Sequence, residues 1–207
     1  MSLENISSRY EKPIIGVIGA TSPLPDYDSD DAYRLGYELR ELVTKKGTLF
    51  TGGVHGVGID VYRGIVDYSI EKGIGDKFFV LVPNGFQPPQ DYIRMAGKTK
   101  NGVLRVETAG KDMEERRTYL ADISNLVVVV NGAKGTIDEA LKCLSRGKQI
   151  ICLENSGGAA DVMSRFKRGE IGKKLILNRE LVKPFYSITE LIEYLSNELD
   201  NFEGARR

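Results

Sequence analysis

The run Leu126-Val127-Val128-Val129-Val130-Asn131-Gly132-Ala133-Lys134-Gly135-Thr136-Ile137-Asp138-Glu139 passes from strand through turn into helix, and the fold class follows from it. Leu126 to Val130 is apolar at every position, so neither face of the strand it predicts meets water. Strands of that kind lie inside parallel sheets whose two faces are covered by helices. Asn131 to Gly135 then supplies small, turn-forming residues, and Gly135 to Leu144 carries apolar residues at helical spacing.

The same alternation extends in both directions. Pro13 to Ala20, Gly47 to Thr51, Lys77 to Val82, Gly102 to Val106, Gln149 to Leu153 and the weaker Val182 to Tyr186 read as strands. Helical patterns lie between them over Asp30 to Lys45 (capped by Ser29 or Asp30), Val57 to Glu71, Asp112 to Ile123, Asp161 to Phe166 and Ile188 to Leu199. Strand and helix in alternation build βαβ units with right-handed crossovers. The expectation is therefore an α/β protein: an open parallel sheet with helices on both faces, one domain over residues 1–207 with its core at about 12–199. Pro83 to Thr99, with Pro83, Pro88 and Pro89, and the terminal Asn201 to Arg207 are expected to be loose.

Composition narrows the function classes. Hydrophobic residues at 41% and charged residues at 28% belong to an ordinary globular chain and exclude a disordered one. Lys+Arg 29 against Asp+Glu 29 leaves a formal net charge of +0, which argues against a non-specific nucleic-acid or anionic-membrane binder. Any anion must be held locally. No apolar run approaches the roughly 18 residues of a spanning helix. Met1 to Asn5 shows no charged n-region leading into an apolar one, so no secretory signal is expected, and a soluble, cytoplasmic protein is. Cys143 and Cys152 are too few for a disulfide framework, and one histidine, His55, with no cysteine cluster gives no credible zinc or iron site; no cofactor is expected.

In open parallel sheets ligands bind outside the carboxyl ends of the strands. Three strand ends are unusual: Gly19-Ala20-Thr21-Ser22-Pro23, Thr51-Gly52-Gly53-Val54-His55-Gly56-Val57-Gly58, and Asn131 to Glu139. Small residues running into a helix expose backbone N–H groups at the positive end of its dipole, a phosphate site, although each loop taken singly also reads as a tight turn. None is a G-x-G-x-x-G dinucleotide fingerprint or a P-loop. Glu139, near the start of its helix, reads either as a dipole partner or as a carboxylate beside that site. Met113-Glu114-Glu115-Arg116-Arg117 reads either as a solvated charged face or as a source of an arginine for phosphate.

Taken together, Met113-Glu114-Glu115-Arg116-Arg117 followed by Asn131-Gly132-Ala133-Lys134-Gly135-Thr136-Ile137-Asp138-Glu139 resembles the Lonely Guy (LOG) family, long mislabelled lysine decarboxylases, which carry M-H-x-R-K and then P-G-G-x-G-T-x-x-E. Gly19 to Ser22 is similar to the family's first-strand turn, and Thr51 to Gly58 to its G-G-G-x-x-G-L-M-G. The resemblance covers nearly the whole chain. It implies a Rossmann-like sheet, a homodimer or higher homo-oligomer, and hydrolysis of the N-glycosidic bond of nucleoside 5′-monophosphates. By position it implies Arg116 and Glu139 as catalytic residues, and Gly19, Thr21, Ser22, Gly52, Gly53, Gly56, Gly132, Lys134, Gly135 and Thr136 as phosphate- or nucleotide-binding residues.

The chain departs from the pattern at several positions. Asn131 replaces the family's proline, Ala133 its second glycine, Glu114 its histidine, Arg117 its lysine and Thr51 a glycine. Related proteins that carry the molybdenum cofactor also vary these positions, so a non-catalytic nucleotide or molybdenum-cofactor carrier is the alternative. The expected partner is a small nucleotide-like ligand, with base contacts from variable loops such as Pro83 to Thr99. His55 is expected to play no catalytic part, and Tyr33, Tyr37, Tyr62 and Tyr68 to serve the core or a subunit interface.

Overall fold

The computed structural model describes residue 6 and residues 8–75, 77–100, 102 and 104–204. Seven parallel strands form one sheet: β1 (Ile14–Gly19), β2 (Thr48–Thr51), β3 (Phe78–Val82), β4 (Val106–Thr108), β5 (Leu126–Val130), β6 (Gln149–Leu153) and β7 (Val182–Phe185). Their order is β4-β3-β2-β1-β5-β6-β7. The helices are α1 (Ser29–Leu42), α2 (Val57–Glu71), α3 (Gln90–Ala96), α4 (Met113–Ile123), α5 (Lys134–Ser145), α6 (Gly158–Lys167) and α7 (Ile188–Gly204), with a short 3₁₀ turn at Arg179–Leu181. This is the Rossmann-like open sheet.

The strand order reverses between β1 and β5. They pair with Gly16 beside Val127 and Gly19 beside Val130, yet their following helices cover opposite faces. Ile15, Val17, Leu49, Val128 and Val130 face a core with α1, α2, α3 and α7; Ile14, Ile18, Phe50, Val127 and Val129 face one with α4, α5 and α6. The period-2 alternation of a strand thus supplies both cores at once, which is why β5 has no polar face. The reversal leaves a crevice at the carboxyl ends of β1 and β5, where loops leave in opposite directions.

Several expected boundaries move. The strand expected over Gly102 to Val106 forms instead as β4 from Val106 onward, set by the pairing of Val80 with Val106; Val103 lies outside the described residues. Pro83 to Thr99 is not loose throughout: it contains α3, which buries Tyr92 and Ala96 one helical turn apart. Asp28, not Ser29 or Asp30, caps α1, its carboxylate accepting from the N–H groups of Asp30 and Asp31 at 2.7 and 3.4 Å. α6 starts at Gly158, before the expected Asp161, and α7 continues to Gly204, into the tail expected to be loose. Residues 1–5 and 205–207 lie outside the described residues. Among the described residues no helix is long and apolar enough to cross a membrane.

Candidate functional site

A cavity of about 280 Å³ opens at the strand reversal, lined by Gly19, Thr21 and Ser22 after β1, Thr51, Gly52, Val54 and Gly58 after β2, Met113, Arg116 and Arg117 from α4, and Ala133, Gly135, Thr136 and Glu139 after β5. Arg116 and Glu139 sit in its floor, 4% and 5% exposed, and form an ion pair through Arg116 Nη2 and Glu139 Oε1. Arg117 Nε stands 3.9 Å from the same carboxylate oxygen. The remaining guanidinium nitrogens of Arg116, Nε and Nη1, are buried without a hydrogen-bond partner. Buried donors left unpaired are costly, so the site holds unused capacity for an acceptor.

The charge balance around Glu139 is a contest between burial and cations. Burial pushes its carboxyl above the ordinary glutamate value, while Arg116 and then Arg117 pull it down; the net direction is up. A carboxyl so placed releases its proton less readily than a surface glutamate and takes one up more readily.

Glycines make room for the arginines. A Cβ on Gly52 would lie 2.8 Å from Arg116 Nη1, and one on Gly135 would lie 2.5 Å from Arg117 Nη2. These two glycines therefore admit guanidinium groups as well as lining the cavity. Gly132, at φ 109, would drive a Cβ to 2.6 Å from Thr136 Cβ, and Gly53, at φ 61, packs on Val80 and Val82; both shape the loops from outside the cavity. Gly56, at φ 70, lies against the carbonyl of Thr21, so the β1 and β2 loops touch there, and Val57 N–H donates to Ala20 O at 3.1 Å.

The helix ends differ in how they are capped. α1 and α4 are capped by Asp28 and Asp112 side chains. α2 and α5, whose Gly58 and Gly135 line the cavity, have no side-chain cap. α3 and α6, away from the cavity, lack side-chain caps as well. The starts of α2 and α5 border the cavity, and the positive ends of their dipoles favour an anion there.

Of the sequence-predicted residues, Arg116, Glu139, Gly19, Thr21, Ser22, Gly52, Gly135 and Thr136 come together around the cavity. Gly53, Gly56 and Gly132 support its loops, and Lys134 is exposed at the first position of α5, outside the lining. Arg117 and Met113 line it and were not singled out as binding residues. Glu114, in place of the family's histidine, points outward to Lys142 at 2.7 Å, and that pairing, with Arg117, holds its carboxyl below the usual range. His55 is exposed and outside the cavity. No residue of 83–99 lines it; Tyr92 instead reaches under the β2 loop and donates to Val54 O at 2.9 Å. Tyr62 and Tyr68 are buried, and Tyr62 stacks on Phe78 and Tyr92. Cys143 and Cys152 are buried free thiols, and burial pushes Cys143 up to about 12, too high for a nucleophile at neutral pH. Among the described residues no three His, Cys, Asp or Glu side chains are grouped to hold a metal ion.

No family model matches the chain, and no curated protein does. Solved structures do match in fold. TM1055, a structural-genomics target, is 22% identical with a TM-score of 0.65, covering 89% of this chain and 98% of its own. The molybdenum cofactor binding protein of the phototrophic bacterium Rippkaea orientalis is 20% identical with a TM-score of 0.64, over 91% of this chain and 98% of its own. DNA processing protein A of Helicobacter pylori, described by its single-stranded DNA binding, is 14% identical with a TM-score of 0.62, over 91% of this chain and 82% of its own. The chain therefore shares, over most of its length, the Rossmann-like fold of proteins that include a molybdenum-cofactor binder.

Proposed function

We propose that the chain hydrolyses the N-glycosidic bond of a nucleoside 5′-monophosphate, releasing the free base and ribose 5-phosphate. The observation that carries this reading is the buried Glu139–Arg116 pair in the floor of a cavity walled by two uncapped helix N-termini. The helix ends bind the 5′-phosphate through backbone N–H groups. Breaking a ribosyl C–N bond builds positive charge on the ribosyl carbon, and a carboxylate beside it offsets that charge. Glu139 also takes a proton from the attacking water. The water oxygen bonds to the ribosyl carbon, the C–N electron pair leaves on the base, and the proton held by Glu139 ends on the base nitrogen. Arg116 favours the ionised form of Glu139 against its burial and offers Nε and Nη1 to sugar or phosphate oxygens.

The test is incubation with a panel of nucleoside 5′-monophosphates, quantifying base and ribose 5-phosphate by chromatography. Base release from at least one nucleotide is expected, falling roughly 10²–10⁴-fold in Glu139→Gln, the range of a lost general acid–base group. Arg116→Ala should lose activity comparably. Absence of release from every nucleotide overturns the hydrolase.

A second reading, a non-hydrolytic carrier of a nucleotide-like ligand such as the molybdenum cofactor, is favoured by the fold shared with the Rippkaea protein. Tight binding of such a ligand without turnover would establish it. Under either reading the partner is a small molecule rather than nucleic acid, as zero net charge suits, and the working form is a homodimer or larger homo-oligomer in the cytoplasm. Light scattering on the purified chain measures the assembly directly.

A further inference from the structure

Three strand-end loops meet on one side chain outside the cavity lining. Asn131 is fully buried and holds φ 52, a left-handed conformation that asparagine tolerates better than most residues. Its Oδ1 accepts from Leu24 N–H at 3.0 Å, in the β1–α1 loop. Its Nδ2 donates to Ser156 O at 2.6 Å, and its own N–H donates to Ser156 Oγ at 2.7 Å, both in the β6–α6 loop. Ser156 Oγ in turn donates to Leu153 O at 2.6 Å. The carbonyls of Asn131 and Gly132 accept from Ala160 and Ala159, at 3.2 and 2.6 Å, and so cap the start of α6.

The consequence falls on the cavity. Thr21 and Ser22, which line it, are exposed, and Leu24 lies two residues beyond Ser22; Ala133 and Gly135, which also line it, follow Asn131 by two and four residues. A proline here would lack the N–H given to Ser156, and its ring would hold φ near −65°. The asparagine therefore closes the turn in a way proline does not. We propose that Asn131 is a positioning residue that sets the Thr21–Ser22 wall against the N-terminus of α5, so that both meet the same phosphorylated ligand. This rests on the reading of the cavity as a nucleoside monophosphate site. The tie itself does not depend on which ligand enters.

Asn131→Gly is the informative variant, because glycine accepts the left-handed backbone while the side-chain ties vanish. Asn131→Asp keeps an acceptor for Leu24 N–H and loses the donor to Ser156. On the full chain, hydrogen exchange at the Leu24 amide is expected to quicken in the glycine variant, with the change concentrated in 21–26. Ribose 5-phosphate affinity by calorimetry should weaken about tenfold, roughly the loss of one good hydrogen bond. KM for the nucleotide should rise while kcat holds within about twofold, since Asn131 does not touch the Arg116–Glu139 pair. The aspartate variant should recover Leu24 protection and part of the affinity. A merely structural residue would lower the unfolding midpoint and leave affinity and KM unchanged in folded protein, which overturns the proposal alone. Wild-type protein that binds no ribose 5-phosphate overturns the nucleotide reading and the proposal together.

Discussion

At the scale of single residues, the decisive feature is one carboxylate held between two guanidinium groups. Burial raises the Glu139 pKa, and Arg116 and Arg117, both facing the same oxygen, each lower it. If the ionised form is the working base, turnover falls as pH drops through the folded pKa, so the acid limb of kcat lies above the ordinary glutamate range. Arg117→Gln removes one cation. Less then opposes burial, the carboxyl titrates higher, and the acid limb moves to higher pH. The check is a kcat–pH profile of wild type and variant on one nucleotide. A limb that stays in place or moves down would show that Arg117 does not act on the carboxylate during turnover.

Helices and loops account for what was legible in the sequence and what was not. β1, β2, β3, β5 and β6 were legible within a residue or so because each is a short apolar run ending in glycine, a polar turn or a charge. Glu139 and Arg116 were legible only as a pattern; their ion pair joins residues 23 apart on α5 and α4, which no local spacing encodes. α3 was missed because Pro88 and Pro89 read as breakers, yet a proline at a helix start gives up no needed N–H. Gly36 and Gly64 carried no visible signal either, since a glycine inside a helix is ordinarily only a weakness. Here they let α1 and α2 touch backbone to backbone: a Cβ on Gly36 would lie 2.7 Å from the Val61 carbonyl carbon, and one on Gly64 would lie 2.6 Å from Tyr37 N. Gly36→Ala should destabilise the chain by about 1–3 kcal/mol, because the obstacle is main chain and cannot swing aside. Gly97→Ala is the control. It has φ −58 and only ordinary contacts near 3.6 Å, so alanine there should be neutral or stabilising by up to about 1 kcal/mol. Urea unfolding midpoints distinguish the two; equal effects would mean that the helices can move apart.

On the scale of the whole molecule, zero net charge and the proposed local anion site make a joint prediction about binding. With 29 cationic and 29 anionic side chains the long-range field is weak, so affinity must come from groups at the strand reversal. On the proposed reading those groups are the uncapped starts of α2 and α5 and the unpaired nitrogens of Arg116, a set suited to one phosphorylated sugar rather than a run of phosphates. Ribose 5-phosphate at about 100 times its Kd adds about 2.7 kcal/mol to folding stability. For a chain of this length each kcal/mol moves Tm by about 2–4 °C, so a rise of roughly 5–11 °C is expected. A single-stranded oligonucleotide at equal phosphate concentration should give little shift. Raising salt from 50 to 200 mM should weaken ribose 5-phosphate binding only modestly, because few counterions are released, whereas a strand contacting many phosphates loses affinity steeply. An oligonucleotide shift as large as that of the sugar phosphate, with steep salt dependence, would place the binding surface along an extended groove and remove the single-phosphate site. A sugar-phosphate shift lost in Arg116→Ala but retained in Lys134→Ala would assign the anion to the cavity floor and not to the exposed lysine at the mouth of α5.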